Sequence, residues 1–469
     1  MSPPATAERQ HYNVTLGVLT LAGTAFAFQQ TMVFPALPAF QEEFGSSTAW
    51  TTWVLTAFLV SAAVTTPILG KLGDQYGKER LLLVSLGLFL LGCVGAAFAW
   101  DIWSLIGFRA LSGAGGALFP LAFAIIRDEF PPARVGVAIG LLSAVFGVGG
   151  GFGIVLSGVI VDHLSWRLLF ILGSIPVAAS LWLVHRYVPE SPIRTPSRVD
   201  AAGALLLSGG LIAFMIALTE GEDWGWSSGF VLALVALSLA FLVVWGLVES
   251  RVSEPMVDLR MMAHRPVLIT NVTTLISGFA LFSCFVLVPA FVAAPASRGY
   301  GFSASATQAG LYLLPSSVAM LFSGPAAGLM GRRFGPKWPL AAGMAVVAVA
   351  AVLLSQYHDE PWQVVVASAA LGVGVGAAFA AMVALISENV DQREMGVATG
   401  MNTVVRMIGS VVGAQVGAAL LTAQTIGGTS LPAESAFTWA FGLAAVAAVA
   451  AAAIALSITP RPLRQLVPA

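Results

Sequence analysis

Residues 70–80 read GKLGDQYGKER, a short charged stretch that contains three glycines. It joins two apolar runs, 50–69 and 81–99. Each run is long enough to cross the hydrocarbon core of a bilayer as a helix. Basic links between spans lie preferentially on the cytoplasmic side, so this stretch predicts a cytoplasmic turn between two transmembrane helices.

A degenerate copy of this stretch, GLMGRRFGPK, occupies residues 328–337, again between two apolar runs. A second pair of similar segments lies further on, GVAIG at 136–140 and GVATG at 396–400. The two pairs are offset by 258 and 260 residues. The chain is therefore predicted to be an internally duplicated membrane protein.

The composition is that of a polytopic membrane protein. Apolar residues make up 58% of the chain, charged residues 10%, and the mean hydropathy is +0.88. Cys93 and Cys284 both fall inside apolar runs, which argues against a disulfide framework or a thiolate metal site. The five histidines lie near termini or links, and no nucleotide-binding or hydrolytic motif is found. The sequence thus favours transport over catalysis, without metal or cofactor.

Counting apolar runs of about twenty residues predicts fourteen spans. They lie near 14–36, 50–69, 81–99, 103–126, 135–161, 166–187, 201–219, 228–248, 266–294, 307–327, 338–356, 362–387, 396–424 and 437–458. With this topology all but four of the 22 basic residues fall on the side of the termini. Arg167 and Arg298 fall on the other side, and Arg109 and Arg406 fall within spans. Both termini are therefore predicted to be cytoplasmic.

The spacing G-x-x-x-D-x-x-G-K-x-R resembles the signature between spans two and three of the major facilitator superfamily. The residues that match are Gly70, Asp74, Gly77, Lys78 and Arg80, whereas Gln75 and Glu79 replace its usual basic residues. An ordinary positive-inside turn is the alternative reading of the stretch.

The duplicated segments leave spans seven and eight outside the repeat, which resembles the fourteen-span drug/proton antiporter family of that superfamily. The resemblance implies an all-α major facilitator fold with two six-helix bundles and two extra helices. The predicted units are an N-terminal bundle at 1–188, a linker with the extra pair at 189–265, and a C-terminal bundle at 266–469. Such transporters bind substrate near the midplane between the halves.

Span four carries an arginine, Arg109, on one helical face with Gly113, Gly116 and Pro120. An arginine inside a span is a functional candidate by default. The segment resembles the family's span-four signature, which implies a part in proton transfer, although Ser112 stands where glutamine is usual. A structural arginine satisfied by backbone carbonyls is the alternative.

Other polar candidates lie in spans one, nine and thirteen. Gln29 stands at the acidic position of the family's first-span signature, and an amide cannot titrate. Asn402 and Arg406 lie one turn apart in span thirteen, as a structural pair or as part of a polar cavity wall. Asn271 in span nine is a further cavity candidate.

A stripe of small residues in span five, Gly149, Gly153 and Ser157, recurs every four positions. Such stripes let another helix approach closely, so we expect them to serve helix packing. Their place resembles the antiporter signature of the family, but Ile154 replaces its proline.

All 23 acidic residues fall in links, termini or span ends in this topology. A proton-coupled carrier normally uses a carboxylate that titrates between its access states. The candidates are therefore peripheral: Asp162 and Glu220 at outer span ends, and Asp74 on the inner side.

The sequence favours a secondary transporter that exports amphipathic organic compounds, driven by the proton gradient, as a multi-pass monomer in the cytoplasmic membrane. Its expected partners are a small substrate and the lipid bilayer, with no nucleic acid. The alternatives are a proton-independent facilitator or lipid flippase, a polytopic membrane enzyme, and a sensor.

Overall fold

The computed structural model describes residues 12–46, 48–191, 200–252, 255–425 and 432–459. Within these ranges the regular secondary structure is helical, and the only β-type pairing is an isolated bridge between Thr425 and Pro432. The expectation of an all-α protein is confirmed. The helices are α1 (Tyr12–Thr31), α2 (Leu37–Phe44), α3 (Thr48–Tyr76), α4 (Lys78–Ala97), α5 (Ile102–Gly113), α6 (Leu118–Glu129), α7 (Pro132–His163), α8 (Arg167–Tyr187), α9 (Ala201–Trp224), α10 (Gly229–Glu249), α11 (Leu259–Ala263), α12 (Arg265–Ala293), α13 (Ala306–Phe334), α14 (Lys337–Gln356), α15 (Pro361–Asn389), α16 (Met395–Ala423) and α17 (Glu434–Leu456).

Thirteen segments of the described chain are long and apolar enough to cross a membrane, and they match predicted spans two to fourteen. Predicted span one corresponds to α1, which is 20 residues long but is not among the thirteen. Its hydropathy is reduced by Asn13, Gln29 and Gln30. Both chain ends and most of the polar stretch before α9, which carry predicted cytoplasmic residues, lie outside the described ranges.

We call one end of the bundle the basic face. It comprises Lys71–Arg80, Arg127–Arg134, Arg332–Lys337 and Gln392–Glu394. The end that carries Asp101, Asp162 and His358 is the opposite face.

Predicted span four changes helix type halfway. It begins at a capping box in which the Ser104 amide donates to Asp101 Oδ1 at 2.7 Å. It then passes through a 3-10 segment, Ala114–Ala117, between α5 and α6. The glycines at this point allow α3 to approach, since a Cβ atom on Gly113 would lie 2.6 Å from the carbonyl oxygen of Phe58. Irregular turns of this kind often mark functional segments.

Each half of the chain has its own buried core. In the first half Phe26 packs against Phe58 and Phe89 at ring-centroid distances of 5.6 and 5.3 Å. In the second half Phe291 packs against Phe437 at 5.4 Å. In lipid such close packing, rather than exclusion of water, holds helices together.

The two halves meet along α7 and α13, where glycines of both helices oppose each other. A Cβ atom on Gly140 would lie 2.3 Å from the carbonyl oxygen of Gly324, and one on Gly328 would lie 2.3 Å from that of Gly136. Only glycine permits backbones this close, so the sequence fixes a tight seam between the halves.

The extra pair, α9 and α10, packs together through Gly209 and Gly210 of α9, which lie against Phe241 and Leu242. Its first helix also covers the place where the halves meet along α3 and α16. Buried side chains there include Leu207, Leu211, Val397, Met401 and Val404. Thus α9 contacts both halves, whereas α10 exposes most of its apolar side chains outward.

Candidate functional site

Asp74 lies at the end of α3 on the basic face and reaches into the other half of the chain. Its carboxylate accepts the backbone N–H of Gly396 at 3.3 Å and that of Val397 at 3.1 Å, in the first turn of α16. The side chain is only 2% exposed. A carboxylate is favoured here because a helix N-terminus presents unsatisfied N–H groups and the positive end of its dipole.

Gly70 allows this contact. A Cβ atom on Gly70 would lie 2.7 Å from the carbonyl oxygen of Gly396, so a larger residue would push α3 away from α16. Gly400, one turn further along α16, packs against Pro67 of α3. Residues 70–80 therefore link two spans and also contact α16, through Gly70 and Asp74.

Lys78 is fully buried beneath this contact and holds two carboxylates. Its ammonium bonds to Asp128 at the end of α6 and lies 3.9 Å from Asp74. The hydroxyl of Ser191 also bonds to Asp128. A buried ammonium with such partners is stabilised, and removal of a partner would leave an uncompensated charge.

Gly77 and Arg80 meet Glu190, which follows α8. Gly77 adopts φ +122°, and a Cβ atom there would lie 2.3 Å from Glu190 Oε2. Glu190 Oε1 accepts the backbone N–H of Glu79 at 3.3 Å, which satisfies the start of α4. Arg80 lies 3.8 Å from Glu190 but is 67% exposed, so that ion pair adds little stability.

Arg127 at the end of α6 makes a second polar contact between the halves on the basic face, and no sequence motif marks it. Its Nη2 donates to the carbonyl oxygen of Val390 at 2.7 Å, and its Nη1 lies 3.3 Å from the sulfur of Met395. The one feature of the sequence that points to Arg127 is the adjacent Asp128. Two neighbouring residues of opposite charge at the end of a span can each bind a different partner.

Arg109 is enclosed between α3, α4 and α5 and is only 1% exposed. Its Nε donates to the carbonyl oxygen of Val54 at 3.3 Å, and its guanidinium carbon lies 4.3 Å from the ring centre of Phe58. Within the described residues neither Nη atom has a hydrogen-bond partner. The backbone carbonyl and the ring account for part of its stabilisation.

Asn271 and Thr274 of span nine and Asn402 of span thirteen form one hydrogen-bonded cluster near the basic face. The Asn402 amide donates to Asn271 Oδ1 at 2.8 Å and lies 2.9 Å from Thr274 Oγ1. One turn further along α16, the guanidinium carbon of Arg406 lies 4.6 Å from the ring centre of Phe379. The Asn402 amide thus joins α16 to α12, and Arg406 faces α15.

Gln29 lies in the interior of the first half. Its Nε2 donates to the carbonyl oxygen of Phe170 at 3.4 Å, and a Cβ atom on Gly173 would lie 2.3 Å from it. This places the amide between α1 and α8.

The small residues of span five lie against α1. Cβ atoms on Gly149 and Gly153 would lie 2.7 Å from Ala27 Cβ and 2.3 Å from Thr31 Oγ1. The Ser157 hydroxyl bonds to the carbonyl oxygen of Met32.

The two carboxylates predicted at outer span ends have different surroundings. Asp162 is exposed and accepts the hydroxyl of Thr307 at 3.2 Å, across the end of the α7–α13 seam. Glu220 is 2% exposed, in the last turns of α9. Next to it the Gln415 amide of α16 donates to the carbonyl oxygen of Thr219 at 3.5 Å.

Comparison with known proteins places this arrangement among membrane transporters. The model of the Major Facilitator Superfamily matches residues 19–414 and, again, 272–468. The chain is 30% identical to Multidrug resistance protein 3 of Bacillus subtilis over 405 residues, 85% of this chain and 77% of that one. It is 27% identical to the Tetracenomycin C resistance and export protein of Streptomyces glaucescens over 423 residues, 88% and 76% of the two chains.

A solved structure shares the fold. The human organic anion transporter MFSD10 (TETRAN) superposes with a TM-score of 0.66 over 97% of this chain and 98% of that one. At 14% identity this likeness concerns the fold alone.

Proposed function

Because this chain belongs to the major facilitator superfamily, we propose that it exports amphipathic organic compounds in exchange for protons, by alternating access. The observation that carries the proposal is the contact of Asp74 with the first turn of α16. A carboxylate on a helix N-terminus makes a favourable contact that breaks without any covalent change, as a gate requires. The name of the Streptomyces glaucescens relative, a resistance and export protein, supports the direction of transport, and that of the Bacillus subtilis relative, a multidrug resistance protein, supports organic substrates.

The basic face is cytoplasmic in this proposal, and the chain lies in the cytoplasmic membrane. Basic residues concentrate at the cytoplasmic ends of spans, and Lys71, Arg127, Arg332 and Arg393 all lie on the basic face. Asp74 and Arg127 then close the cytoplasmic side, so substrate enters from inside once these contacts break.

Proton coupling is assigned to the peripheral carboxylates, with Glu220 preferred over Asp162. Glu220 is buried within the protein whereas Asp162 is exposed, and ionisable groups buried among spans are the functional candidates in transporters. Glu220 also lies on α9, the helix that contacts both halves. Asp74, equally buried, is the corresponding group on the basic face.

Variants of these residues test the assignment in proteoliposomes. Glu220→Gln should still exchange substrate down its gradient but fail to accumulate it when a pH gradient is imposed. Asp162→Asn is the matched control and should accumulate substrate as the wild type does. If the Glu220 and Asp74 neutral variants both accumulate substrate normally, these carboxylates are not the coupling groups.

A proton-independent facilitator is the second candidate. The observation that favours it is Gln29, an amide that cannot titrate, bonded to a backbone carbonyl inside the first half. Flux of substrate in wild-type proteoliposomes that is indifferent to the pH gradient would establish this alternative.

A further inference from the structure

The connection between α15 and α16 is held at both ends by residues of the other half. It comprises Val390–Glu394 and includes a 3-10 turn, Gln392–Glu394. One end is the C-terminus of α15, and the other is the N-terminus of α16. The two helix ends present opposite charges: carbonyl oxygens at the first and N–H groups at the second.

Arg127 occupies the first of these ends. Val390 is the residue that terminates α15, and its carbonyl oxygen accepts Arg127 Nη2 at 2.7 Å. The guanidinium is attracted by the carboxylates of Asp128 in its own helix, Asp391 in the connection and Glu388 in the last turn of α15. A cation is therefore favoured at this position both by the helix end and by its acidic neighbours.

Asp74 occupies the second end, as described above. Each residue thus carries the charge that its helix end favours, and exchanging the two would place like charges together. Arg127 and Asp74 are also linked to each other within the first half, through Asp128 and Lys78. Asp128 follows Arg127 directly in α6 and binds Lys78, which lies 3.9 Å from Asp74.

We propose that Arg127 is a positioning residue of the gate, forming with Asp74 a two-point clamp on the α15–α16 connection. This inference rests on the proposed function for its direction, since it takes the clamped state to be closed to the cytoplasm. Each contact stabilises that state, and the halves separate on the basic face only when both contacts are broken. A hydrogen bond from a charged group is typically strong enough for its loss to shift such an equilibrium roughly tenfold.

The distance between the halves tests the clamp without any substrate. Spin labels attached to Tyr76→Cys and Gln392→Cys, two exposed positions on the basic face, report this separation in the full-length protein. The buried Cys93 and Cys284 are replaced by serine in all samples. We expect Arg127→Gln to increase the ratio of long to short distances roughly tenfold, and Asp74→Asn to act in the same direction.

Two further variants define the cause. Arg134→Gln is the matched control, because Arg134 lies on the same face but stacks on Tyr12 within its own half, at 4.9 Å. It should leave the distances unchanged. Arg127→Lys keeps the charge without the planar guanidinium, so most molecules should still give the short distance. That result would show that the position tolerates substitution.

An Arg127→Gln distance distribution equal to that of the wild type and of Arg134→Gln would overturn the clamp. The outcome is separable from that of the proposed function. A wild type that moves no substrate, together with a shifted Arg127→Gln distribution, would refute the export proposal and leave the clamp in place.

Discussion

At the scale of single residues, charges inside and between the halves are placed where a helix end, a ring or a carbonyl stabilises them. Asp74 uses the N-terminus of α16, and Arg109 uses a carbonyl and the Phe58 ring. Lys78, buried without contact to solvent, is held by carboxylates from two helices. Each placement has a consequence for transport that a substitution can isolate.

Asp74→Asn should lower the initial rate of transport about fivefold while leaving expression close to normal. The amide can still accept an N–H, but it loses the favourable interaction of a charge with the helix end, about 1 kcal/mol. Substrate uptake into proteoliposomes measures the rate, and quantitative blotting measures expression. Wild-type flux in Asp74→Asn would remove the gating role of this carboxylate.

Substrate charge should matter because the described spans carry arginines in their interior and carboxylates only near their ends. Arg109 is enclosed between helices, so Arg406, which is half-buried, is the arginine that a substrate can meet. A dication would lack a counter-charge there, so neutral or anionic amphipathic compounds should be the better substrates.

Competition assays with matched anionic, neutral and dicationic compounds measure this preference. Arg406→Gln should reduce transport of the anionic compound more than that of the neutral one. Dicationic dyes emerging as the best substrates would contradict the assignment.

At the scale of helices, the chain uses glycine wherever two elements must approach within backbone contact. The α7–α13 seam and the α3–α16 contact both depend on it, at Gly140 and Gly70. The first is a seam along most of two long helices, and the second joins the parts of α3 and α16 that lie next to the basic face. This difference suits a molecule in which one seam serves as a pivot and the other opens.

Gly140→Val should lower the midpoint of thermal unfolding in detergent, because its Cβ would lie 2.3 Å from the carbonyl oxygen of Gly324. Overpacking of this kind typically costs about 1–3 kcal/mol. Gly87→Ala in α4 is the control, since a Cβ atom there meets nothing within 4 Å. An unfolding midpoint of Gly140→Val equal to that of the wild type would mean that the seam is not close-packed.

Much of this architecture follows from sequence alone, because hydrophobic runs determine spans and a repeated motif determines symmetry. Predicted spans two to fourteen are candidate membrane helices, and predicted span one is also a helix, α1. The 3-10 segment at Ala114–Ala117 could not be predicted, since its glycines and alanines continue the apolar pattern without interruption.

The site was predictable only in part. The motif identified Asp74, but the contact of Arg127 with Val390 joins residues 263 positions apart, and no local pattern encodes it. Nor does the sequence determine that Gln29 turns toward α8, because the choice depends on the space left by Gly173.

At the scale of the whole molecule, two bundles meet through a close-packed seam and through polar contacts at the basic face, and an extra helix, α9, bridges them. This arrangement permits rocking of one half on the other about a substrate between them. In the proposed exchange, the candidate carboxylates lie near helix ends, so their protonation would act on the contacts between the halves.

Purified wild-type protein in liposomes with an imposed pH gradient tests the proposed exchange most directly. With the basic face outward, in the orientation of an inverted cell membrane, an acidic lumen should drive accumulation of an amphipathic compound above its external concentration. Dissipating the gradient with a protonophore should release it. Equilibration of the compound to the same level with and without the gradient would contradict proton-coupled export.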